Sequence, residues 1–367
     1  MTDESWLLPI KDVIAETADA TSVVFDVPPE AATAFDYKPG QFLTLAIPSD
    51  QTGIVARNYS MSSSPVAGEP MTITVKRTVD GYASNWIADQ LKPGDTLRVL
   101  PPAGIFTPAS LDADLLLFAG GSGVTPVMSI AHSALLKGSG RVVVLYANRD
   151  EKSVIFASKW AELAREYPDR LLVVHWLETV QGLPTREQIT AFAAQYDTYD
   201  AFICGPAPFM ALVRSALLEL GFPRERRHQE KFLSLGGNPF GDVETEDEAL
   251  AEIVNEADAS DDEPERLTRN EKDDRALVTV EVELDGETHT FDDWDPTIPL
   301  LDFLESKGVK APYSCREGEC SACAYRLLEG EVTMRRNDVL EKEDIEEGIR
   351  LGCQSLPTTE KLRITYN

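Results

Sequence analysis

The first hundred residues alternate between short runs of β-forming residues and Pro-Gly turns. The runs cover residues 22–27, 41–47, 71–76 and 96–100, and turns such as Pro39-Gly40 and Pro93-Gly94 separate them. Short strands with turns of this kind between them are typical of a small antiparallel sheet that closes on itself. The pattern therefore predicts an antiparallel β-barrel over residues 1–108.

From about Asp114 the pattern changes to apolar strands that alternate with helices. Strand-like runs occupy residues 115–119, 141–147, 170–176 and 201–204, and helix-like stretches occupy 127–136, 159–166 and 208–220. Alternation of this kind places parallel strands in one sheet with helices covering its faces. We therefore predict an α/β domain with a parallel sheet over residues 109–241.

A block of acidic residues follows the predicted α/β domain. Residues 242–274 contain 15 Asp or Glu against 3 Arg or Lys. Such a block is usually solvated and mobile, so it predicts a linker. A capping box at Thr245 and Glu248, followed by apolar residues at helical spacing, predicts a short helix inside the linker.

Beyond the linker, strand-like alternation returns. The stretch ALVTVEVELDGETHTF (276–291) alternates apolar and polar residues on both sides of Asp285-Gly286, which is a good signal for a β-hairpin. The hairpin begins a compact domain over residues 275–367, which holds four of the five cysteines. The chain is therefore predicted to be multidomain.

The net charge of −28 restricts the partners that suit this chain. A polyanion is repelled by nucleic acid and by anionic membrane surfaces, whereas it suits a basic patch on another protein. The N-terminal residues MTDESWLLPI lack the basic region and the apolar run of a signal peptide. We therefore expect a cytoplasmic protein, a monomer by itself, that binds neither nucleic acid nor membrane.

Three cysteines lie within nine residues, in CREGECSAC at 315–323. Without a secretion signal a disulfide framework is disfavoured, and structural zinc usually takes two C-x-x-C pairs or a mixture of Cys and His. A C-x4-C-x2-C spacing with a distant fourth cysteine is that of a plant-type [2Fe-2S] cluster. The spacing favours this cluster over zinc, with four ligands: Cys315, Cys320, Cys323 and Cys353.

The cysteine loop also carries small residues that such a cluster needs. Gly318 can take a positive φ, and Ser314, Ser321 and Ala322 leave backbone N–H groups free to bond the sulfurs. PYSCREGECSAC together with LGCQ resembles the plant-type ferredoxins over the segment 275–367, and this implies an α+β (β-grasp) fold. Because no histidine is among the predicted ligands, we expect a low reduction potential, on the order of −400 mV.

The front half carries two motifs, RNYSMSSSP (57–65) and GYASNWI (81–87), that resemble the flavin motifs of the ferredoxin-NADP reductase superfamily. Arg57 offers a fork for a pyrophosphate, Tyr59 a ring face for the isoalloxazine, and Ser60 a hydroxyl for the flavin N5 edge. Backbone N–H groups at the start of a helix can face the same phosphates. The resemblance implies an FAD site made of Arg57, Asn58, Tyr59, Ser60, Lys76, Gly81, Tyr82, Ala83 and Ser84.

Two further segments resemble the nicotinamide motifs of the same superfamily, and a third resembles a segment near the flavin. AGGSGVTPVMS (119–129) follows a predicted strand and opens a helix, which is the context that a phosphate-binding glycine turn needs. CGPAPFM (204–210) ends the fourth predicted strand, and QEKF (229–232) closes the resemblance. The residues implied in the nicotinamide site are Gly120, Gly121, Gly123, Thr125, Pro126, Cys204, Gly205 and Pro206, and the resemblance implies that Glu230 and Phe232 lie near the flavin. Catalytic roles are implied for Tyr59, Ser60, Thr125, Cys204 and Glu230.

Nearly the whole chain resembles the reductase components of 3-ketosteroid 9α-hydroxylases, most clearly at residues 76–87, 144–156, 174–184 and 337–348. The resemblance implies hydride transfer from NADH to FAD and single-electron transfer through the cluster to a Rieske-type terminal oxygenase of steroid degradation. The motifs alone suit a phenylacetyl-CoA epoxidase or another oxygenase equally. A redox sensor that uses the cluster without nicotinamide turnover is an alternative of a different class.

The preference between NADH and NADPH is ambiguous in the sequence. The predicted strand at 141–147 leads into residues where Arg149 stands beside Asp150 and Glu151. A basic residue there suits the 2′-phosphate of NADPH, whereas an acidic residue suits the free 2′-hydroxyl of NADH. The family resemblance decides for NADH.

Overall fold

The computed structural model describes residues 5–49, 53–79, 81–230, 232, 240, 277–284, 286–313, 316, 318, 321–340 and 342–366. The predicted acidic linker with its capping box lies outside the described residues, as do Ser314, Cys315 and Cys320. Contacts divide the chain into two compact units. Most residues up to 230 belong to the first unit, and most residues from 277 onward belong to the second.

The first unit begins with six strands and one helix: β1 (Trp6–Thr17), β2 (Ala20–Phe25), β3 (Phe42–Ser49), β4 (Gly53–Ser60), β5 (Thr72–Lys76), α1 (Tyr82–Gln90) and β6 (Thr96–Val99). The strands form one sheet with the order β4-β3-β6-β1-β2-β5. Met61, directly after β4, forms an antiparallel bridge with Ile73 of β5. The two edges of the sheet therefore meet, and the predicted antiparallel β-barrel is confirmed.

The longest strand of the barrel, β1, is absent from the sequence prediction. Its inward residues Leu8 and Ile10 are at most 2% exposed, but charged residues such as Lys11 and Asp12 interrupt the apolar pattern on its exposed side. Pairing with β2 and β6 on its two sides supplies the backbone hydrogen bonds that hold it in the sheet. Tertiary pairing therefore outweighs its weak local pattern.

A parallel sheet follows in the same unit. Its elements are β7 (Leu115–Gly120), α2 (Val124–Lys137), β8 (Val142–Asn148), α3 (Ala157–Glu166), β9 (Leu171–Leu177), α4 (Glu178–Gln181), α5 (Arg186–Ala193), β10 (Asp200–Cys204), α6 (Ala207–Glu219) and β11 (Arg227–Glu230). The strand order is β11-β10-β7-β8-β9, and all neighbours are parallel. Helices α2 and α3 share one apolar core with the sheet, and α5 and α6 share another. The predicted α/β domain is confirmed, with helices on both faces.

The fifth parallel strand, β11, is also missing from the sequence prediction. Its residues, RHQE, carry no apolar run, yet they pair in register with β10 along its whole length. This pairing places Glu230 directly beside Cys204 at the carboxyl edge of the sheet. The polar edge strand thus brings a carboxyl group to the predicted nicotinamide site.

The second unit contains β12 (Val278–Leu284), β13 (Glu287–Trp294), α7 (Leu300–Ser306), β14 (Ala324–Glu329), β15 (Val332–Met334), α8 (Lys342–Glu346), β16 (Ile349–Leu351), β17 (Ser355–Pro357) and β18 (Lys361–Thr365). Its main sheet has the order β13-β12-β18-β14-β16, in which β12 and β18 are parallel and the other pairs are antiparallel. Phe303 of α7 stacks on Trp294 with ring centroids 5.7 Å apart. The predicted hairpin and β-grasp fold are confirmed.

In the described part of the chain, no helix has the length and hydropathy needed to cross a membrane.

Candidate functional site

The end of β4 carries four predicted flavin-site residues on its two faces. Because side chains alternate along a strand, Arg57 and Tyr59 share one face while Asn58 and Ser60 share the other. Ser60 is buried, and the Asn58 side chain accepts a hydrogen bond from the Thr44 hydroxyl at 2.9 Å. Burial raises the pKa of Tyr59 to about 12, although the Arg57 charge acts in the opposite direction. The Tyr59 hydroxyl is therefore protonated at neutral pH.

The second predicted flavin motif forms the start of α1. Gly81 precedes the helix, and a Cβ at this position would come within 2.8 Å of the Thr78 side chain. The Ser84 hydroxyl accepts a hydrogen bond from the Thr78 N–H at 3.0 Å, which closes the turn. No acidic residue occupies the first turn of the helix. The N–H groups of residues 82–84 therefore form a local environment that favours an anion.

Two neighbouring cations at the end of β5 have different surroundings. Arg77 donates to the Asp89 carboxylate, so it stabilises the loop before α1. The Lys76 ammonium lies 3.7 Å from Asp19 and faces the glycine turn, 3.8 Å from where a Cβ on Gly121 would be. Lys76 therefore stands where the barrel and the glycine turn meet.

The two predicted nicotinamide motifs are in direct backbone contact. They end β7 and β10, which are adjacent parallel strands. A Cβ on Gly123 would lie 2.1 Å from the Cys204 carbonyl oxygen, and a Cβ on Gly120 would lie 2.8 Å from Pro206. A Cβ on Gly205 would in turn meet the Gly120 Cα at 2.9 Å. Glycine is required at these positions because the two turns pack backbone against backbone.

Two other residues of the predicted nicotinamide site and one that is predicted near the flavin differ in burial. Thr125 and Pro126 are buried in the first turn of α2, and the Thr125 hydroxyl donates to the Ser122 carbonyl at 3.1 Å. Phe232 is 48% exposed. The first pair is therefore fixed by the helix, whereas the Phe232 ring presents a surface to solvent.

Cys204 and Glu230 are the most strongly perturbed titratable pair of this site. Both are buried, and they lie side by side in the register of β10 and β11. Burial raises the pKa of Glu230 to about 8. Burial also raises the pKa of the Cys204 thiol, and Glu230 adds to that shift. At neutral pH the site therefore presents a neutral acid beside a neutral thiol.

A cavity of about 580 Å³ lies at the carboxyl edge of the parallel sheet. Part of its lining was predicted from the sequence, namely Lys76, Gly120, Gly121 and Pro206. Arg149, which the sequence analysis weighed for coenzyme preference, also lines it, whereas Asn148, Trp176, Glu178, Leu183 and Phe209 were missed. A signal for these residues was present in the sequence. Ligands bind outside the carboxyl ends of parallel strands, and the second predicted strand ends just before Asn148 while the third ends at Trp176.

The Asn148 side chain shows that the cavity fits a polar ligand. Asn148 is 7% exposed, and neither of its amide atoms has a hydrogen-bond partner among the described residues. The amide is close enough to Tyr146 to affect its pKa, but the Tyr146 hydroxyl donates to the Gly121 carbonyl at 3.3 Å. Buried amides are normally satisfied, so a ligand with hydroxyl groups, such as a ribose, suits this position.

In the second unit, the structure brings two of the four predicted cluster ligands together. Cys323 precedes β14 and Cys353 follows β16, both are buried, and their sulfurs are 3.4 Å apart. This separation is far longer than a disulfide bond of about 2.05 Å. The other two predicted ligands lie outside the described residues, and no third candidate ligand joins the pair within them. Two buried thiols held at this distance fit thiolates that share one iron–sulfur cluster.

The backbone around the thiols has the conformation predicted for a cluster loop. Gly318 has a φ of +74°, and a Cβ there would lie 2.7 Å from the Arg336 carbonyl oxygen. The Gln354 side-chain amide donates to the Arg316 carbonyl at 2.8 Å and lies 3.6 Å from the Cys353 sulfur. Gln354 therefore ties the loop to the strand end that carries Cys353.

Three protein-family models match the chain in the same order as its sheets. An oxidoreductase FAD-binding domain matches residues 8–107, an oxidoreductase NAD-binding domain matches residues 117–215, and a 2Fe-2S iron-sulfur cluster binding domain matches residues 282–358. The barrel is thus an FAD-binding domain, the parallel sheet an NAD-binding domain, and the β-grasp unit a [2Fe-2S] domain.

Full-length similarity extends to known reductases. The chain is 54% identical to the ferredoxin reductase component of 3-ketosteroid-9-alpha-monooxygenase from Rhodococcus rhodochrous, with 99% of this chain and 97% of the relative covered. It is 30% identical to one of the subunits of 1,2-phenylacetyl-CoA epoxidase from Escherichia coli, with 98% and 97% covered.

The solved structure of phthalate dioxygenase reductase covers 99% of this chain and 98% of its own, with a TM-score of 0.54 and 23% identity. At that identity the likeness concerns the fold alone. The sequence similarity, in contrast, extends over nearly all of both chains at more than half of the positions, with the FAD, NAD and cluster domains in the same order. This protein therefore belongs to the family of ferredoxin reductase components of 3-ketosteroid-9-alpha-monooxygenases.

Proposed function

We propose that this protein oxidises NADH and passes the electrons singly, through FAD and a [2Fe-2S] cluster, to a Rieske-type oxygenase component that hydroxylates 3-ketosteroids. The observation that carries the proposal is the cavity at the parallel sheet, because one space is lined by Lys76 of the FAD domain and by the glycine turn of the NAD domain. A nicotinamide nucleotide bound there reaches the flavin side of the protein.

FAD, when bound, accepts a hydride and gives up its two electrons one at a time. We propose that Arg57 and the N–H groups at the start of α1 hold its pyrophosphate, that Tyr59 covers its ring, and that Ser60 bonds its N5 edge. Support comes from the anion-favouring helix start and from the protonated, largely buried Tyr59 hydroxyl.

At the nicotinamide end, we assign the positioning of the ring to Thr125, Cys204 and Glu230. Cys204 and Glu230 are neutral at pH 7 because burial raises both pKa values. Neutral groups next to the ring avoid an ion pair that would hold the oxidised, positively charged nicotinamide. Their role is therefore to exclude water and to leave the ring free to dissociate after hydride transfer.

The donor preference follows from which carboxylate faces the cavity. Asp150 is not free to bind a ribose, because its carboxylate accepts from the Ser153 N–H at 2.9 Å and pairs with Arg149 at 3.2 Å. Glu178 remains as the carboxylate that lines the cavity. Arg149 also lines the cavity but pairs with Asp150. Glu178 and the neutral Asn148 amide therefore suit the free hydroxyls of NADH, and the Glu178 carboxylate repels the 2′-phosphate of NADPH.

Replacing Glu178 by lysine is expected to move the preference toward NADPH. The change removes a repulsion and adds an attraction at the 2′-phosphate, so the ratio of kcat/KM for NADH to that for NADPH should fall at least tenfold, about 1.4 kcal/mol. Steady-state ferricyanide reduction with each coenzyme measures the ratio.

Glu162→Lys on α3 is the matched control, because it makes the same charge change at an exposed position away from the cavity lining. An equal change of the ratio in both variants, or a wild-type protein that prefers NADPH, would refute the assignment.

The partner and the cell compartment are inferred from the family. The relative at 54% identity supports an oxygenase that acts on 3-ketosteroids, and the relative at 30% identity marks the epoxidase as the second candidate. We place the protein in the cytoplasm, where thiols stay reduced. The functional boundaries proposed are those of the sequence analysis: 1–108, 109–241, 242–274 and 275–367.

Reconstitution with a purified oxygenase component tests the proposal. NADH should bleach the flavin and cluster absorbance of the loaded reductase, and steroid hydroxylation should depend on adding it. Turnover only with the epoxidase oxygenase would establish the second candidate. A cluster that changes redox state without sustained NADH turnover would instead indicate a sensor.

A further inference from the structure

The hydroxyl of Tyr366 is an unused hydrogen-bond donor in the cluster domain. The hydroxyl oxygen is buried, and it makes no hydrogen bond with any described residue. It packs against Gly352, which directly precedes Cys353 and forms a backbone hydrogen bond with Cys323. Buried hydroxyls are normally satisfied, so an unpartnered one beside two predicted metal ligands calls for an acceptor.

The backbone near the two thiols is shaped around this hydroxyl. A Cβ on Gly352 would lie 2.8 Å from the Tyr366 hydroxyl oxygen and 3.3 Å from the Cys323 carbonyl oxygen. The Gly352 N–H donates to that same carbonyl at 2.9 Å. The hydroxyl therefore sits against the peptide between β16 and Cys353, and a side chain at 352 would displace it.

We propose that, in the cluster-loaded protein, the Tyr366 hydroxyl donates a hydrogen bond to the thiolate sulfur of Cys323 or Cys353 and thereby raises the reduction potential of the cluster. The inference rests on the cluster site of the proposed function. A thiol bound to iron becomes a thiolate, which accepts hydrogen bonds. Reduction adds one negative charge to the cluster and its ligands, so a donor bond to sulfur strengthens on reduction and favours the reduced state.

Tyr325 provides an internal comparison. Its hydroxyl is also buried in this core, and the two tyrosine rings are 5.8 Å apart. The Tyr325 hydroxyl also has no hydrogen-bond partner among the described residues, but Ser355 and the Arg350 charge are its neighbours in addition to Cys323. Replacing Tyr325 by phenylalanine also removes one buried hydroxyl from this core. We expect it to change the hydrogen bonding of the sulfurs less than Tyr366→Phe does.

The test compares Tyr366→Phe with Tyr325→Phe in the full-length protein loaded with FAD and cluster. EPR-monitored redox titration measures the cluster potential, and iron and sulfide analysis verifies loading. Tyr366→Phe should shift the potential to more negative values by about 59 mV, a tenfold change of a one-electron equilibrium, and Tyr325→Phe should shift it by much less. An unchanged potential in Tyr366→Phe, or equal shifts in both variants, would overturn the proposal.

A second measurement serves if Tyr366→Phe does not retain the cluster. Resonance Raman spectra of the wild-type protein should show Fe–S stretching bands that shift in D₂O by more than those of a Tyr366→Leu variant, which keeps any backbone N–H bonds to sulfur and loses only the hydroxyl donor. Wild-type bands insensitive to D₂O would refute the hydrogen bond. Absence of any cluster signal in the wild type would refute the proposed function instead, so the two failures are distinguishable.

Discussion

Replacing Cys353 by alanine is expected to lower electron delivery to the oxygenase by at least about a hundredfold, because the cluster is the last carrier before the partner and alanine supplies no ligand to iron. NADH-dependent ferricyanide reduction should be almost unchanged. Cys353 lies in the cluster domain, whereas the proposed FAD and NADH residues belong to the other compact unit. Alanine avoids the ambiguity of serine, whose oxygen can also bind iron.

The matched control for this variant is Ser355→Ala. Ser355 is fully buried two residues further along and donates to the Leu351 carbonyl at 2.9 Å, so its loss tests the packing cost without removing a proposed ligand. Delivery should survive in Ser355→Ala. Near-normal delivery by Cys353→Ala, or loss of flavin reduction in a folded Cys353→Ala protein, would contradict the assignment of separate redox centres.

The cluster loop shows which parts of this protein are encoded locally. The cysteine spacing and Gly318 follow from the geometry of one short loop, so sequence alone predicted the positive φ that the structure shows at +74°, and two of its four predicted ligands, Cys323 and Cys353, lie side by side. The glycine turn is similar, because Gly120 and Gly123 are required by a contact that the strand-turn-helix pattern already implies.

The coenzyme cavity shows what the sequence alone could not establish. Asn148, Trp176 and Glu178 come from the ends of two different strands, and only the parallel pairing of β8 and β9 brings them together. The sequence placed Asp150 beside Arg149 but did not show that its carboxylate caps a turn. Strand β11 has no apolar pattern that would predict it. Its place in the sheet depends on pairing with β10. These features are products of tertiary structure.

The contribution of Glu230 to the free energy of unfolding is expected to fall as the pH rises from about 4.5 to about 8, because its carboxyl is protonated in the folded protein over that range. Its pKa is raised from 4.5 to about 8 by burial. Between these values the unfolded chain has lost a proton that the folded protein retains, so raising the pH favours unfolding. At about 1.4 kcal/mol per pKa unit, the decrease is on the order of 5 kcal/mol and levels off above pH 8.

Glu230→Gln isolates this contribution, because the amide keeps the shape of the neutral acid and does not titrate. Chemical denaturation at a series of pH values should therefore show the wild type losing stability relative to Glu230→Gln as the pH rises from about 4.5 to about 8, with the largest difference at about pH 8. His228 and Cys204 also titrate nearby, but both are present in the two proteins and cancel in the difference. The exposed Glu225→Gln is the control and should keep the wild-type slope. If Glu230→Gln retains the wild-type slope, the carboxyl is already ionised at neutral pH, and a neutral acid beside the nicotinamide is the wrong assignment.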